Sequence, residues 1–288
     1  MTDVTIRNDQ LTVSISPLGA EMQAVTTGDG REWLWDGDPE FWTGRSPILF
    51  PMVGRAPDDR LTIGGERFAM KQHGFARRSL FALTEQSEAA CRFELTESAE
   101  TRGMYPFAFR LVLDYRLEGR AVVVSAEVTN RDLEPMPFGF GFHPAFRWPL
   151  PGAEGEAHVV RLDNGAEPTM RRIENGLIDP EPIASPFRNG LLVLEHGLFD
   201  ADALVLPEGA GTGARLEAGD TAVHLTWENL PNFAVWSKPG EAPFVCLEPW
   251  HGTAAEVGGS DALEARPGTL MLAPGGMARF AMRVELVG

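Results

Sequence analysis

Apolar and polar side chains alternate with a period of two along much of the chain, which is the pattern of half-buried β-strands. In residues 110–117, RLVLDYRL, the leucines and the tyrosine fall on one face and the charged residues on the other. After a turn at Glu118-Gly119, residues 121–130, AVVVSAEVTN, resume a strand pattern. The two segments together predict a long antiparallel hairpin over 110–130.

The same pattern predicts more strands elsewhere. A tight hairpin is predicted over 61–70 around its Gly-Gly turn, and a strand pair over 270–286 around its Pro-Gly-Gly turn. Single strands are predicted for TVSIS (12–16), CRFEL (91–95), LLVLEH (191–196), DALVL (202–206) and AVHLTW (222–227). No amphipathic helix longer than about two turns is predicted, and the segment 261–266 is the best helical candidate.

This distribution predicts an all-β protein built as a large antiparallel β-sandwich. The 31 glycines and 22 prolines among 288 residues exceed average usage, which agrees with many turns between short strands. Because no linker, composition shift or fixed-period repeat divides the chain, we expect a single domain over 1–288. The segment 150–190, rich in Pro, Gly and Glu, is expected to be a long excursion within that domain.

The net charge of −16 excludes some classes of partner. Nucleic acids and anionic membranes both require basic patches, so neither is expected, and a neutral small molecule is favoured. The N-terminus lacks the apolar core of a signal peptide, and no apolar run approaches the roughly 20 residues of a membrane span. With only Cys91 and Cys246 present, we expect reduced core thiols in a cytoplasmic protein, either a monomer or a homodimer.

Glu248 is the residue whose context is hardest to explain by structure alone. It follows an apolar run in PFVCLEPWHG, residues 243–252, and is predicted to end a strand beside a Pro-Trp pair. A carboxylate seldom occupies such a place without a partner, because removing its charge from water is costly.

Four other segments place a polar residue next to an apolar strand. They are KQHGFARRS (71–79) with His73 and Arg77, GFGFHPAFRWP (139–149) with His143, LFDADALVL (198–206) with Asp202, and ILFPMVGRAPDDR (48–60) with Arg55. Each has an ordinary structural interpretation. A histidine among aromatic residues is more often a satisfied core residue than a catalyst, and an aspartate before a strand often caps a turn. The arginines are equally explained by a neighbouring aspartate or by a solvated sheet edge.

Taken together, these residue types favour a sugar site. Carboxylates and arginine bind vicinal hydroxyls by charge-assisted hydrogen bonds, and Trp250, Phe142 or Phe146 is expected to stack on a pyranose ring. At neutral pH a carboxylate accepts protons and an imidazole gives them, which suits acid–base chemistry. Since no two histidines lie at i, i+2 or i, i+4, no metal is expected. Cys246 shares a face with Glu248, but nothing nearby in sequence activates it.

The motifs KQHGFAR, GFGFHPAF, FDADALVL and APFVCLEPWHG, in that order over residues 45–255, resemble the aldose 1-epimerase (galactose mutarotase) family, especially its LacX-like branch. The resemblance implies the galactose mutarotase-like supersandwich, no cofactor, and interconversion of the α and β anomers of free sugars. It implies that Glu248 is the catalytic base and His143 the general acid. It also implies that His73, Arg55 and Asp202 contact the sugar.

The resemblance leaves alternatives open. The string QHGFAR (72–77) is also similar to hexose-6-phosphate 1-epimerases, in which the residues matching Gln72 and Arg77 contact substrate. However, Thr43 stands where those enzymes have an arginine, with Arg45 two places on. A non-catalytic carbohydrate-binding protein on the same fold is a second alternative, and a glycosidase using Asp202 and Glu248 is a third. The segment TAAEVGG after the Trp-His-Gly sequence also departs from the family, where an aspartate usually follows.

Overall fold

The period-two segments form strands, which a computed structural model describes over residues 2–288. The strands of the first half are Val4–Arg7 (β1), Leu11–Ser16 (β2), Glu21–Thr27 (β3), Ile48–Leu49 (β4), Arg60–Ile63 (β5), Glu66–Ala69 (β6), Ala82–Gln86 (β7), Ala90–Thr96 (β8), Phe109–Glu118 (β9), Ala121–Asn130 (β10), Met136–Phe138 (β11), Phe140–Phe142 (β12) and Ala145–Arg147 (β13). Those of the second half are Val159–Leu162 (β14), Thr169–Met170 (β15), Ile173–Glu174 (β16), Leu177–Ile178 (β17), Ile183–Ala184 (β18), Leu191–Val193 (β19), Leu204–Leu206 (β20), Gly213–Ala218 (β21), Thr221–Glu228 (β22), Asn232–Trp236 (β23), Phe244–His251 (β24), Leu270–Leu272 (β25) and Met277–Val287 (β26).

Helices are short throughout the described residues, as predicted. The one α-helix of residues 2–288 is Ala99–Arg102 (α1), and the capping box between Ser98 and Thr101 fixes its start. Four 3-10 turns are Pro57–Asp59, Ala76–Arg78, His196–Phe199 and Leu263–Ala265. The best helical candidate, 261–266, therefore forms only a 3-10 turn. Among residues 2–288 no helix has the length and hydropathy needed to cross a membrane.

Two large antiparallel sheets organise these strands. The nine-stranded sheet has the order β19-β14-β21-β22-β26-β10-β9-β8-β7. The six-stranded sheet has the order β20-β23-β24-β12-β4, with β13 paired to β24. Smaller ladders join β1-β2-β3, β5-β6, β11-β25, β15-β18 and β16-β17.

The two large sheets pack face to face through aromatic side chains. Phe140 of β12 stacks on Phe280 of β26 with ring centroids 4.7 Å apart. Trp227 of β22 and Phe233 of β23 are likewise 4.8 Å apart. Such pairs contribute about 0.5–1.5 kcal/mol each beyond their buried area. The predicted all-β antiparallel sandwich is confirmed, and the single domain over 1–288 stays a prediction.

Pairing partners test the hairpin predictions separately. The hairpins over 61–70 and 110–130 are confirmed as β5-β6 and β9-β10. The strand pair predicted over 270–286 is wrong, because β25 pairs with β11 while β26 pairs with β10 and β22. The intervening turn is held by Asn130, whose backbone exchanges hydrogen bonds with Gly275 and Gly276. This anchor directs the two strands into different sheets.

Strand β24 separates the core from a second environment. Val245 and Leu247 pack in the core between the sheets, whereas Cys246, Glu248 and Trp250 project from the opposite face. Glu248 thus lies inside an eight-residue strand, and the prediction that it ends the strand is wrong. The proline that follows it pairs in register with β23 without ending the strand.

The segment 150–190 is more structured than an excursion. It supplies β14 to the nine-stranded sheet, and it folds the β16-β17 hairpin over the outer face of the six-stranded sheet. The Ile178 backbone N–H donates to the Ala255 carbonyl, which fixes the hairpin beside the loop that follows β24. The hairpin thereby forms one wall of a cavity on this face of the sheet.

Candidate active site

A cavity of about 340 Å³ lies on the outer face of the six-stranded sheet. This volume is near the lower end for small-molecule sites, which suits a monosaccharide. Its lining residues come from β20, β23 and β24 and from the loops that cover them, and they are Trp42, Gly54, Gln72, His73, Arg77, His143, Ile173, Gly176, Ile178, Asp202, Ala203, Val205, Trp236, Glu248, Trp250 and Ala254. Seven of the eight predicted site residues are therefore brought together, from segments far apart in the chain.

Glu248 and His143 are in direct contact. The His143 Nε2 atom lies 3.0 Å from Glu248 Oε2, and both side chains are almost fully buried. Sheet register explains the contact, because β12 pairs Gly141 with Trp250 and β13 pairs Ala145 with Cys246. His143 lies between those two pairs and therefore lies beside Glu248.

Burial dominates the electrostatics of Glu248. Loss of water raises the pKa of this carboxyl above its ordinary value of 4.5, and the contact with His143 opposes that shift. Nearby Asp202 raises the pKa further, and Arg77 lowers it. A carboxylate with a raised pKa is a stronger base than one in water, which suits a residue that must take up a proton.

His73 is held as a neutral hydrogen-bond donor. Its Nδ1 accepts a hydrogen bond from the Gly54 backbone N–H at 3.1 Å, so a neutral ring carries its proton on Nε2. Burial, with smaller contributions from His143 and Arg77, lowers the pKa of His73 well below 6.5. The Nε2–H group lines the cavity, and the side-chain amide of Gln72 lies 3.3 Å from this nitrogen.

A close approach of two backbones positions His73. The residue has φ of +65°, and Gly74 after it has φ of +73°. A side chain at Gly74 would collide with the backbone of Phe50 and Pro51. The Phe50 carbonyl accepts hydrogen bonds from the backbone N–H groups of Phe75 and Ala76. Only glycine tolerates both the space and the dihedral angle here.

Arg77 and Asp202 complete the polar lining. Burial lowers the pKa of Arg77, and the carboxylates of Glu21 and Glu248 oppose that change. Asp202 has φ of +69° two residues before β20, and its Oδ1 accepts a hydrogen bond from the Ala203 backbone N–H at 2.8 Å. The turn interpretation of Asp202 is thus correct, and the residue lines the cavity as well.

Tryptophan side chains form the apolar walls at the reacting end. Trp42 stacks on the His143 ring with centroids 5.0 Å apart, and Trp236 meets the same ring edge-on at 5.9 Å. Trp250 also lines the cavity, as predicted. Trp42 and Trp236 were not predicted, since each stands alone in its segment without a motif. Their aromatic character was the one available signal.

Phe142 and Phe146 do not face the cavity, so the prediction that either stacks on a sugar is wrong. Both rings are fully buried in the core between the sheets. They lie an odd number of positions from His143, so on an alternating strand they point the other way.

Arg55 is the predicted site residue that the structure leaves outside the lining. Its Nε donates to Asp59 at 2.8 Å, and its Nη1 reaches the Asn175 carbonyl at 3.4 Å. The side chain packs behind Gly176 at the rim of the cavity. Its role as a sugar contact stays a prediction.

Cys246 adds a sulfur atom to the acid–base pair. Donor atoms of His143, Cys246 and Glu248 all lie within 4.8 Å of one another, an arrangement that the spacing of histidines in the sequence did not indicate. Burial, followed by the nearby Glu248 charge, raises the pKa of the Cys246 thiol well above 9.0. The thiol is therefore held protonated, whereas metals bind the thiolate. That the chemistry needs no metal stays a prediction.

Comparison with known proteins assigns the family. A sequence profile of the aldose 1-epimerase family matches residues 2–258. The chain belongs to the aldose 1-epimerase family. The chromosomally encoded Protein LacX of Lactococcus lactis subsp. lactis is 31% identical, with 94% of this chain and 95% of the relative covered.

Solved structures agree with this assignment. A galactose mutarotase related enzyme from Lactobacillus acidophilus is 29% identical, with a TM-score of 0.93 and coverage of 99% of this chain and 97% of that one. A galactose mutarotase-like protein from Lactobacillus casei is 30% identical, with a TM-score of 0.91 and 99% of each chain covered. The expected galactose mutarotase-like fold is thus confirmed. Membership of the aldose 1-epimerase family supports a sugar epimerase, which is an isomerase.

Proposed function

We propose that the protein is an aldose 1-epimerase that interconverts the α and β anomers of a free hexose by acid–base ring opening. The main support is the contact of 3.0 Å between His143 and Glu248 inside a cavity of monosaccharide size. In a cyclic aldose the anomeric oxygen O1 and the ring oxygen O5 share the carbon C1. An acid and a base that act on these two oxygens must themselves be close neighbours.

The mechanism assigns one proton to each residue. Glu248 removes the proton from O1 while His143 delivers a proton to O5, so the C1–O5 bond breaks and C1 becomes an aldehyde. Rotation about C1–C2 presents the other face of the aldehyde. O5 then attacks that face, His143 takes its proton back, and Glu248 returns a proton to O1. No net proton is consumed.

The other polar groups bind the sugar and orient it. His73 offers a neutral Nε2–H to a sugar oxygen, which assists without adding charge to the cavity. Arg77 contributes a charge-assisted donor and Asp202 an acceptor for hydroxyls. Trp250 and Trp236 supply flat surfaces for the apolar face of the ring.

The first test replaces Glu248 with glutamine, which keeps the shape of the side chain but removes its ability to take up a proton. Since a positioned base typically contributes about 10²- to 10⁴-fold, Glu248→Gln should lose most of the catalysed rate. His143→Ala should do the same. The measurement is polarimetry on freshly dissolved α-D-glucose and α-D-galactose.

Glu228→Gln is the matched control, because this glutamate ends β22 and is exposed to solvent. It should retain the wild-type rate. Thermal unfolding of each variant checks that the fold is kept. Wild-type rates in both Glu248→Gln and His143→Ala would refute the assignment of roles. A wild-type protein that binds sugar but never accelerates mutarotation would indicate the non-catalytic binding protein instead.

A hexose 6-phosphate is the second candidate substrate, supported by the presence of both Gln72 and Arg77 in the cavity lining. Against it, Arg77 is the only arginine that lines the cavity among residues 2–288, and it already faces Glu21 and Glu248. Arg45 is engaged with Gln23 at 2.6 Å. The free sugar therefore fits the charges better. Saturation by glucose 6-phosphate at far lower concentration than by glucose would reverse this choice.

A further inference from the structure

The two ends of the cavity floor differ in chemistry. Directly opposite residues of paired strands share a face. Glu248 pairs in register with Ala234, and Ala234 pairs in register with Val205. Since strands are spaced about 4.8 Å apart, Val205 lies roughly 10 Å across the sheet from Glu248. The side chain of Ala234 between them is small, which leaves room above it for a sugar ring.

Aliphatic side chains enclose the end of the cavity away from Glu248. Ile178, Ala203 and Val205 belong to one buried cluster, which also contains Trp250 nearer to Glu248, and Ile173 packs against it. Ile173 and Ile178 come from the β16-β17 hairpin, which closes this end like a wall. Branched aliphatic groups lack the flat surface on which a sugar ring stacks, and they suit a methyl group instead.

The arginines that flank this wall, Arg55, Arg171 and Arg172, are not among the residues that line the cavity. Arg55 pairs with Asp59 at 2.8 Å and reaches the Asn175 carbonyl, with its side chain packed behind Gly176 and outside the cavity lining. Asp202, two residues before β20, is a polar side chain that lines the cavity beside Ala203. It can accept a hydrogen bond from one hydroxyl, such as that on C4.

A hexose bound with C1 at Glu248 directs its C4 and C6 substituents towards the opposite end. A hydroxyl on C6 would then lose its water against aliphatic groups and find no partner among them, which is unfavourable. A methyl at the same place gains from burial. We propose that the site selects 6-deoxyhexoses, that is, aldoses with a methyl group where common hexoses have CH2OH. This inference rests on the proposed mutarotase function.

Sugar pairs that differ only at C6 test the proposal on the wild-type protein. The pairs are D-glucose with 6-deoxy-D-glucose, and D-galactose with 6-deoxy-D-galactose. Exchange NMR of the anomeric protons gives the catalysed rate above the spontaneous one. In at least one pair, kcat/KM should be about 5- to 100-fold higher for the deoxy sugar, the range expected for a hydroxyl buried without a partner. Equal or lower values for the deoxy sugar in both pairs would overturn the proposal.

D-xylose, which has no C6, separates the cost of burying the C6 hydroxyl from the gain of burying a methyl group. It avoids the buried hydroxyl but gains nothing from the wall, so 6-deoxy-D-glucose should exceed it by about fourfold, the value of one buried carbon. If D-xylose instead equals or exceeds the deoxy sugar, the wall does not bind a methyl group and the proposal is wrong.

A variant of the wall gives an independent readout. Ile173→Asn places an amide beside C6, so the ratio of kcat/KM between deoxy and parent sugar should fall towards one. Ile183→Asn is the matched control, since Ile183 lies in the same segment but is partly exposed in β18, outside the cavity. Its ratio should equal that of the wild type. An unchanged ratio in Ile173→Asn would contradict the proposal.

Binding measurements distinguish this inference from the proposed function. Trp42, Trp236 and Trp250 line the cavity, so tryptophan fluorescence reports occupancy without turnover. Tighter binding of the deoxy sugars with no accelerated mutarotation would refute the mutarotase and leave the selectivity standing. Accelerated mutarotation with no preference for deoxy sugars in binding or in kcat/KM would support the mutarotase and refute the proposed selectivity.

Discussion

At the scale of single residues, the site depends on charges whose ionisation burial opposes. Glu248 has a raised pKa and His73 a lowered one, and desolvation is the largest cause of both shifts. Burial thus favours the neutral form of each group, which makes the carboxylate basic and keeps the imidazole a neutral donor. The contact between Glu248 and His143 opposes the raised pKa of Glu248, although burial remains the larger cause.

The pH dependence of the rate follows from the shift at Glu248. The base acts when it is ionised, so kcat/KM should fall as pH falls through the pKa of the folded protein. Because that pKa is raised, the midpoint of the acid limb should lie above 4.5. The measurement is anomeric exchange NMR between about pH 4 and 8, with the spontaneous rate subtracted at each pH.

Arg77→Met provides the check on this assignment. Arg77 lowers the pKa of Glu248, so its removal should move the acid limb to higher pH. An acid limb centred below 4.5, or one that Arg77→Met moves to lower pH, would show that Glu248 is not the titrating base.

At the scale of elements, the site depends on turns whose backbones touch. The pairing of β12 and β13 with β24 brings His143 beside Glu248. The turn before the 3-10 segment Ala76–Arg78 brings His73 to the same cavity. That turn packs directly against the backbone after β4, with a bridge between Phe50 and Gly74. A change in the turn should therefore affect stability and activity together.

Gly74→Ala tests this connection. The added methyl would meet the backbone of Phe50 and Pro51 and would adopt a positive φ, so we expect a loss of about 2–4 kcal/mol in the free energy of unfolding. Displacement of His73 should also raise KM. Urea unfolding and anomeric exchange NMR measure the two effects.

Gly64→Ala is the matched control for Gly74→Ala. Gly64 also has a positive φ, but the space around it is open, so its replacement should cost only the backbone strain of about 1 kcal/mol. Equal destabilisation by the two substitutions would show that the close approach at Gly74 contributes nothing.

At the scale of the whole molecule, charge and topology determine which substrate reaches the cavity. The chain has a net charge of −16, and acidic groups remain the majority around a site with one lining arginine. A neutral sugar feels little of this field, whereas an anionic sugar phosphate is repelled at low ionic strength.

The salt dependence of the rate distinguishes these substrates. For a neutral hexose, kcat/KM should change by less than about twofold between about 10 and 300 mM NaCl, although the Debye length falls from about 30 Å to less than 10 Å. Thermal unfolding in the same buffers controls for effects on stability. For glucose 6-phosphate in the same buffers, kcat/KM should instead rise steeply with salt, and an equally steep rise for the neutral hexose would contradict this account.

The sequence by itself determined the class of fold and most members of the site. Period-two alternation depends on local geometry, so the strands, the hairpins of 61–70 and 110–130, and the lack of long helices were predictable. Glu248, His143, His73 and Asp202 were found because polar residues next to apolar strands need an explanation.

The tertiary structure decided what lies next to what. The partners of β25 and β26, the position of Glu248 inside its strand, and the inward direction of Phe142 all depend on sheet register, which alternation alone does not fix. Trp42 and the β16-β17 hairpin reach the cavity only because they fold over the outer face of the sheet, and Trp236 faces it because of the register of β23. Such contacts between distant segments arise from packing, and a local pattern in the sequence contains no record of them.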